Sequence, residues 1–158
     1  VIRDSGLEAA WRSVGAEPNL VGSLRTGLLM THHDIDFHIY SSPLRLADSF
    51  AAMARLAENS RIRSITFNNL LDAPDMIHMP KGSAYDGYFE RVADRIAAVL
   101  TDRTRETILR LKYETPEAEK IMGIEYYQAV LRDGVGTYTE FEAWRAAHPV
   151  TGILEWMP

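Results

Sequence analysis

Hydrophobic periodicity changes character part-way along this chain, and that change constrains the fold most. Up to about residue 84, segments with a period of two interleave with segments of helical period; beyond it, only the helical period continues. A chain patterned this way predicts an α+β plan, a small mixed sheet with helices on one side followed by an all-helical half. At 158 residues it is long enough for one domain with its own core. The expectation is a single domain over 1–158, with a sheet-bearing part at 1–84 and a helical part at 85–158.

In the first part, Leu7, Ala10, Trp11 and Val14 predict a helix over 5–16, ended by Gly15 and Pro18. Residues 19–22 read as a short buried strand. Residues 34–40, Asp-Ile-Asp-Phe-His-Ile-Tyr, alternate polar and apolar, the mark of a strand. Ser42-Pro43 reads as a cap with proline at the first helical position. The helix that follows carries Leu46, Ala47, Phe50, Met53, Ala54 and Ala57 as its apolar stripe. Residues 62–71 and 75–79 predict two further strands.

In the second part, Phe89, Val92, Ala93, Ile96, Val99 and Leu100 give one helical stripe. Asp102 is expected to cap a helix running to about Tyr113. Thr115-Pro116 is expected to start another, carrying Ile121 to Leu131 and stopping at Gly134. Thr139 and Glu142 have capping-box spacing for a last helix that ends at His148-Pro149.

Composition narrows the class. Apolar residues make up 46% and charged residues 25%, which excludes a disordered or fibrous chain. The 17 basic and 22 acidic residues give a net charge of −5, against the basic face of a dedicated nucleic-acid binder. Cysteine is absent, so disulfides and thiolate metal sites are ruled out and a reducing, cytoplasmic setting is expected. No apolar run approaches the ~20 residues of a membrane span, and no secretory leader is visible at Val1.

The chemistry-bearing pattern is Val21-Gly22-Ser23-Leu24-Arg25-Thr26-Gly27, then ten residues, 24–33, between the Gly-Ser pair and Asp34-Ile35-Asp36-Phe37. On a strand, Asp34 and Asp36 share one face while Ile35 and Phe37 turn to the core. Two carboxylates about 7 Å apart repel unless a cation lies between them, and such hard oxygen ligands suit Mg²⁺. Gly22 lacks a Cβ, so a phosphate can approach its backbone; Ser23 adds a hydroxyl and an amide. Arg25 reads either as an ordinary surface cation or as a phosphate or structural contact. Zinc is disfavoured, because an Asp-x-Asp beside a Gly-Ser turn suits Mg²⁺ better.

This pattern resembles the nucleotidyltransferase superfamily typified by DNA polymerase β, and within it the compact bacterial aminoglycoside and lincosamide nucleotidyltransferases. The motif match covers residues 20–40; beyond that the likeness is one of layout. The resemblance implies that Gly22 and Ser23 hold nucleoside triphosphate phosphates. It also implies that Asp34, Asp36 and a third carboxylate hold two Mg²⁺ ions. Asp75, before Met76-Ile77, fits that third place and Asp72 is the alternative; Pro74 departs from the apolar residue the pattern calls for.

Lys81, after the third strand, is a candidate for triphosphate charge. Lys112 and Tyr113 are candidates for nucleotide contact by family position. His38 shares the face of the two Asp residues and reads as a hydrogen-bonding histidine or a ligand contact. His32 and His33 read as loop residues. Glu125 reads as a general base or, more ordinarily, as a half-buried Glu with a cationic partner; Tyr138, Trp144 and Trp156 read as packing.

The implied reaction is transfer of a nucleoside monophosphate from the triphosphate to a small-molecule or protein acceptor, with two metals and in-line attack at the α-phosphorus. Nucleic acid and membrane are not expected as partners, and the pattern leaves the oligomeric state open. The alternative is a catalytically degenerate nucleotide-binding or antitoxin-like regulatory protein.

Overall fold

The structure is a computed structural model that describes residues 2–30, 34–68, 78–150 and 156–158. It is mixed α+β, with a small three-stranded sheet and helices elsewhere. Two compact units divide the chain: residues 1–20 with 37–88, and residues 21–36 with 89–158. Residues 21–36, with the Gly-Ser pair and Asp34 and Asp36, go with 89–158. Among the described residues no helix is long and apolar enough to cross a membrane.

The first unit holds the short helices α1 (Ile2–Ser5) and α2 (Leu7–Arg12), most of strands β1 (Glu17–Val21) and β2 (Asp36–Ser41), helix α4 (Leu46–Ala57) and strand β3 (His78–Pro80). The sheet order is β1-β2-β3. Strands β2 and β3 run parallel, with Ile39 opposite His78 and Ser41 opposite Pro80. A parallel pair needs a long crossover, and α4 lies within it. Pro80 sits on an edge strand, where its missing N–H removes no ladder bond. The next residue takes up the pairing, Lys81 N–H donating to the Ser41 carbonyl at 2.8 Å. Phe37, Ile39, Tyr40 and Met79 are buried on these strands.

Several expectations are corrected in this unit. Residues 62–68 form no strand. A segment of strand-like composition becomes a strand only beside a sheet edge, and among the described residues this one has no ladder partner; Ile65 and Phe67 are exposed. The rest of the expected strand, 69–71, lies outside the described residues, as do 75–77 of the next one. Pro43 does not open a helix; α4 starts at Leu46 after Arg45. Nor does α4 bury its apolar stripe. It buries Ser49 and Ala52 and leaves Leu46 and Phe50 exposed. The polar Ser49 is tolerated inside because its hydroxyl meets His78 Nδ1 at 2.8 Å. Ser41 meets the other ring nitrogen at 2.7 Å, and Trp11 lies edge-on to the ring at 5.1 Å.

The second unit holds α3 (Gly22–Thr26), α5 (Tyr88–Val99, from Phe89 onward), α6 (Asp102–Glu114), α7 (Gly123–Leu131) and α8 (Tyr138–Ala147). Its core includes Leu28, Ile96, Ile108, Leu111 and Phe141. The caps differ by one or two residues from expectation. Thr101, not Asp102, caps α6, through a capping box with Thr104. Thr137 and Glu140, not Thr139 and Glu142, cap α8. Thr115 ends α6, its hydroxyl donating to the Leu111 carbonyl at 2.8 Å. Residues 116–122 are not helical, because the exposed charges of Glu117, Glu119 and Lys120 offer no face to bury. Helix α7 begins only where Tyr126, Tyr127 and Val130 supply one.

Candidate functional site

Gly22 starts α3 directly after β1, with φ +68°, a left-handed conformation that favours glycine. Its bare Cα faces Asp36. A Cβ at this position would overlap the carboxylate, with the Asp36 Cγ only 2.9 Å away. Gly27 closes α3 at φ +71°, and Arg105 of α6 donates to its carbonyl at 2.6 Å.

Asp36 opens β2 and Asp34 lies two residues before that strand begins, both with solvent access. Partial burial pushes the Asp36 carboxyl above its ordinary value, and the Asp34 charge pushes it in the same direction. Lys112 opposes both. Two carboxylates in mutual repulsion fit a hard divalent cation such as Mg²⁺. Among the described residues no group of three His, Cys, Asp or Glu is gathered for a metal. Asp75 and Asp72 lie outside the described residues.

Ser23 holds the centre of a polar cluster. Lys112 Nζ donates to its hydroxyl at 2.9 Å and to the Leu28 carbonyl at 3.1 Å. The Tyr127 hydroxyl lies 3.2 Å from Ser23 Oγ and 3.4 Å from the ammonium, which also sits 5.4 Å from the Tyr127 ring centroid. One ammonium and two hydroxyls therefore converge beside Gly22. The sequence marks Tyr127 only as part of an apolar helix. Nothing in a single tyrosine on such a helix marks it, because the signal is a contact spanning 104 residues.

Other candidates have partners of their own. Arg25 forms a two-pronged pair with Asp94 of α5, at 2.8 and 2.9 Å, which ties α3 to α5. Lys81 belongs to the first unit, where its ammonium lies 2.8 Å from Glu17. His38 is also in that unit, and burial lowers its pKa to about 4. Glu125 accepts from Met122 N–H at 2.9 Å at the start of α7 and lies 3.5 Å from Arg145. It has the cationic partner of the more ordinary reading. Tyr113 is 73% exposed. Trp144 packs on Phe141 and donates to Asp133 at 2.7 Å. His32 and His33 lie outside the described residues. An open groove of about 460 Å³ along α6, lined by Met30, Leu109 and Tyr113, includes none of Ser23, Asp34 or Asp36.

No protein-family model matches the chain, and no curated protein or solved structure matches it either.

Proposed function

We propose that this chain is a nucleotidyltransferase of the polymerase β type, moving a nucleoside monophosphate from a nucleoside triphosphate to an acceptor. The observation that supports this most is the placing of Gly22 against the Asp36 carboxylate while Ser23 receives the Lys112 ammonium. Carboxylates for a cation at residues 34 and 36 then adjoin donors for an anion from Ser23 and from Lys112 of α6, which is what a metal-bound triphosphate requires. Lys112 and Ser23, with Tyr127 beside them, hold phosphate oxygens. Arg25 steadies α3 through Asp94.

Asp34 and Asp36 fit a divalent cation, which when bound supplies charge neutralisation at the phosphates and a Lewis acid for the leaving oxygen. The acceptor oxygen bonds to the α-phosphorus as the bond to the bridging oxygen breaks. Pyrophosphate leaves with that electron pair, and the acceptor proton passes to solvent or a site carboxylate. The chain's own contribution is positioning and charge.

The test is thermal stabilisation by each of the four ribonucleoside triphosphates, with and without Mg²⁺, followed by an assay for pyrophosphate. Stabilisation that needs both Mg²⁺ and the triphosphate, and is lost in Asp36→Asn, is the expected result. No stabilisation by any triphosphate overturns the reading. Binding without pyrophosphate release in the presence of varied acceptors selects nucleotide binding without transfer.

A further inference from the structure

Helix α4 turns its apolar side outward. Leu46, Ala47, Phe50, Ala51 and Ala54 are all exposed, and the Phe50 ring packs at 4.8 Å against Phe67 of the unpaired segment 62–68. The Phe50–Phe67 contact joins the helix face and the segment in one apolar patch in the first unit, with Phe50 51% exposed, and Ile65 of that segment is exposed as well. The largest apolar patch on a soluble chain, on the order of 300–600 Å², is often an interaction surface.

The charges at the two ends of α4 indicate what covers it. Arg45 is its N-cap and Glu58 its C-cap. A helix carries positive charge at its N-terminus and negative at its C-terminus, so both side chains sit at the end that disfavours them. Asp48 in the first turn and Arg55 in the last have the favourable sense, which leaves Arg45 and Glu58 as the exceptions. Both are exposed, and neither has an ion-pair partner among the described residues.

We propose that α4 pairs antiparallel with α4 of a second copy of this chain about a two-fold axis near Ala51. In that arrangement each Arg45 meets the partner's Glu58 and the negative end of the partner's helix. Each Glu58 meets the positive end. Phe50 falls opposite small residues near the axis, so large packs against small on both sides, as a self-complementary interface requires. A single helix face and one short segment from each copy make a small interface, and interfaces below about 1,200 Å² in total are weak, so the dimer is concentration-dependent. This proposal does not rest on the nucleotidyltransferase reading.

Sedimentation equilibrium across the micromolar range tests it. The wild type should show a monomer–dimer equilibrium, and Phe50→Asp should abolish it while circular dichroism stays native. Arg45→Glu and Glu58→Arg should each weaken the dimer about five- to tenfold, and the double variant should restore it. Because the chain has no cysteine, Ala51→Cys supplies a single thiol, which should cross-link the dimer on mild oxidation. A wild type that stays monomeric throughout overturns the proposal and leaves the face to a different partner. A dimer indifferent to Phe50→Asp overturns it too, as does one that the charge-swapped double variant fails to restore.

Discussion

The ammonium of Lys112 stands 2.9 Å from the hydroxyl of Ser23, across 89 residues of chain. A donor hydrogen bond from a cation leaves the Ser23 hydroxyl free to donate in turn, toward Tyr127 or an incoming anion. Lys112 also offsets part of the repulsion between Asp34 and Asp36. One side chain thus serves both halves of the proposed site.

Removing either partner should weaken triphosphate binding selectively. A hydrogen bond to a charged group contributes about 1.5–3 kcal/mol, so Lys112→Met should weaken triphosphate binding by roughly 10–150-fold. Ser23→Ala should fall at the lower end of that range. Calorimetry with a triphosphate and the matching nucleoside checks the assignment. Equal losses for both ligands would instead point to a local folding defect.

Asp36→Asn should separate stability from activity. The folded protein holds a proton on Asp36 more tightly than the unfolded chain does, because burial and Asp34 raise its pKa. A raised carboxyl pKa stabilises the fold below the ordinary carboxylate range and loses that contribution as pH rises through the folded value. At neutral pH the ionised Asp36 is therefore a net cost, and the metal-free Asn variant should melt slightly higher. Transfer should fall by roughly 100-fold or more. A metal-free variant that melts clearly lower, with transfer unchanged, would refute both the repulsion and the cation site.

The β2 alternation and the apolar stripes of α5 and α6 follow from local pattern, and local pattern is what period encodes, whereas the approach of Gly22 to Asp36 is a tertiary contact across 14 residues. The outward stripe of α4 does not follow. Its polarity was decided by His78, a residue 29 positions from Ser49, which makes burial of that hydroxyl favourable. The segment 62–68 likewise has the composition of a strand but lacks a neighbouring ladder, and pairing is a tertiary property. In the proposed site, Gly22, Ser23 and the paired Asp residues stand out in the sequence as a motif. Tyr127 does not, and the Arg25–Asp94 pair needed the packing of α3 on α5.

Gly22→Ala should damage the site and the fold together. The left-handed φ alone costs about 1–2 kcal/mol for an L residue. The added Cβ would also displace Asp36. A lower midpoint in urea together with lost triphosphate binding is expected. The same change at Gly15, also at positive φ but with nothing within 4 Å of a Cβ, should lower stability and leave binding intact. Binding lost equally in both variants would show that Asp36 placement is not what Gly22 protects.

The pH dependence of stability should carry the mark of His38. Burial holds its folded pKa near 4, against 6.5 for an ordinary histidine. Since the folded state binds the proton more weakly, the stabilising contribution is fully present above pH 6.5. It declines as pH falls below that value and is gone once pH drops through about 4. The total is at most about 3 kcal/mol. His78 is shifted in the same direction by burial, partly countered by Asp48, and adds to the acid sensitivity. Asp36 acts in the opposite sense, because its raised pKa favours the protonated fold at low pH. Urea titrations at a series of pH values between 7 and 4 should therefore show a falling midpoint in the wild type. His38→Gln should flatten much of that fall, leaving the slope due to His78 and to the carboxylates of Asp94, Asp133 and Glu140, whose pKa values are held down by their hydrogen bonds. An unchanged slope in His38→Gln would place the acid sensitivity elsewhere and remove the claim that His38 is buried in its neutral form.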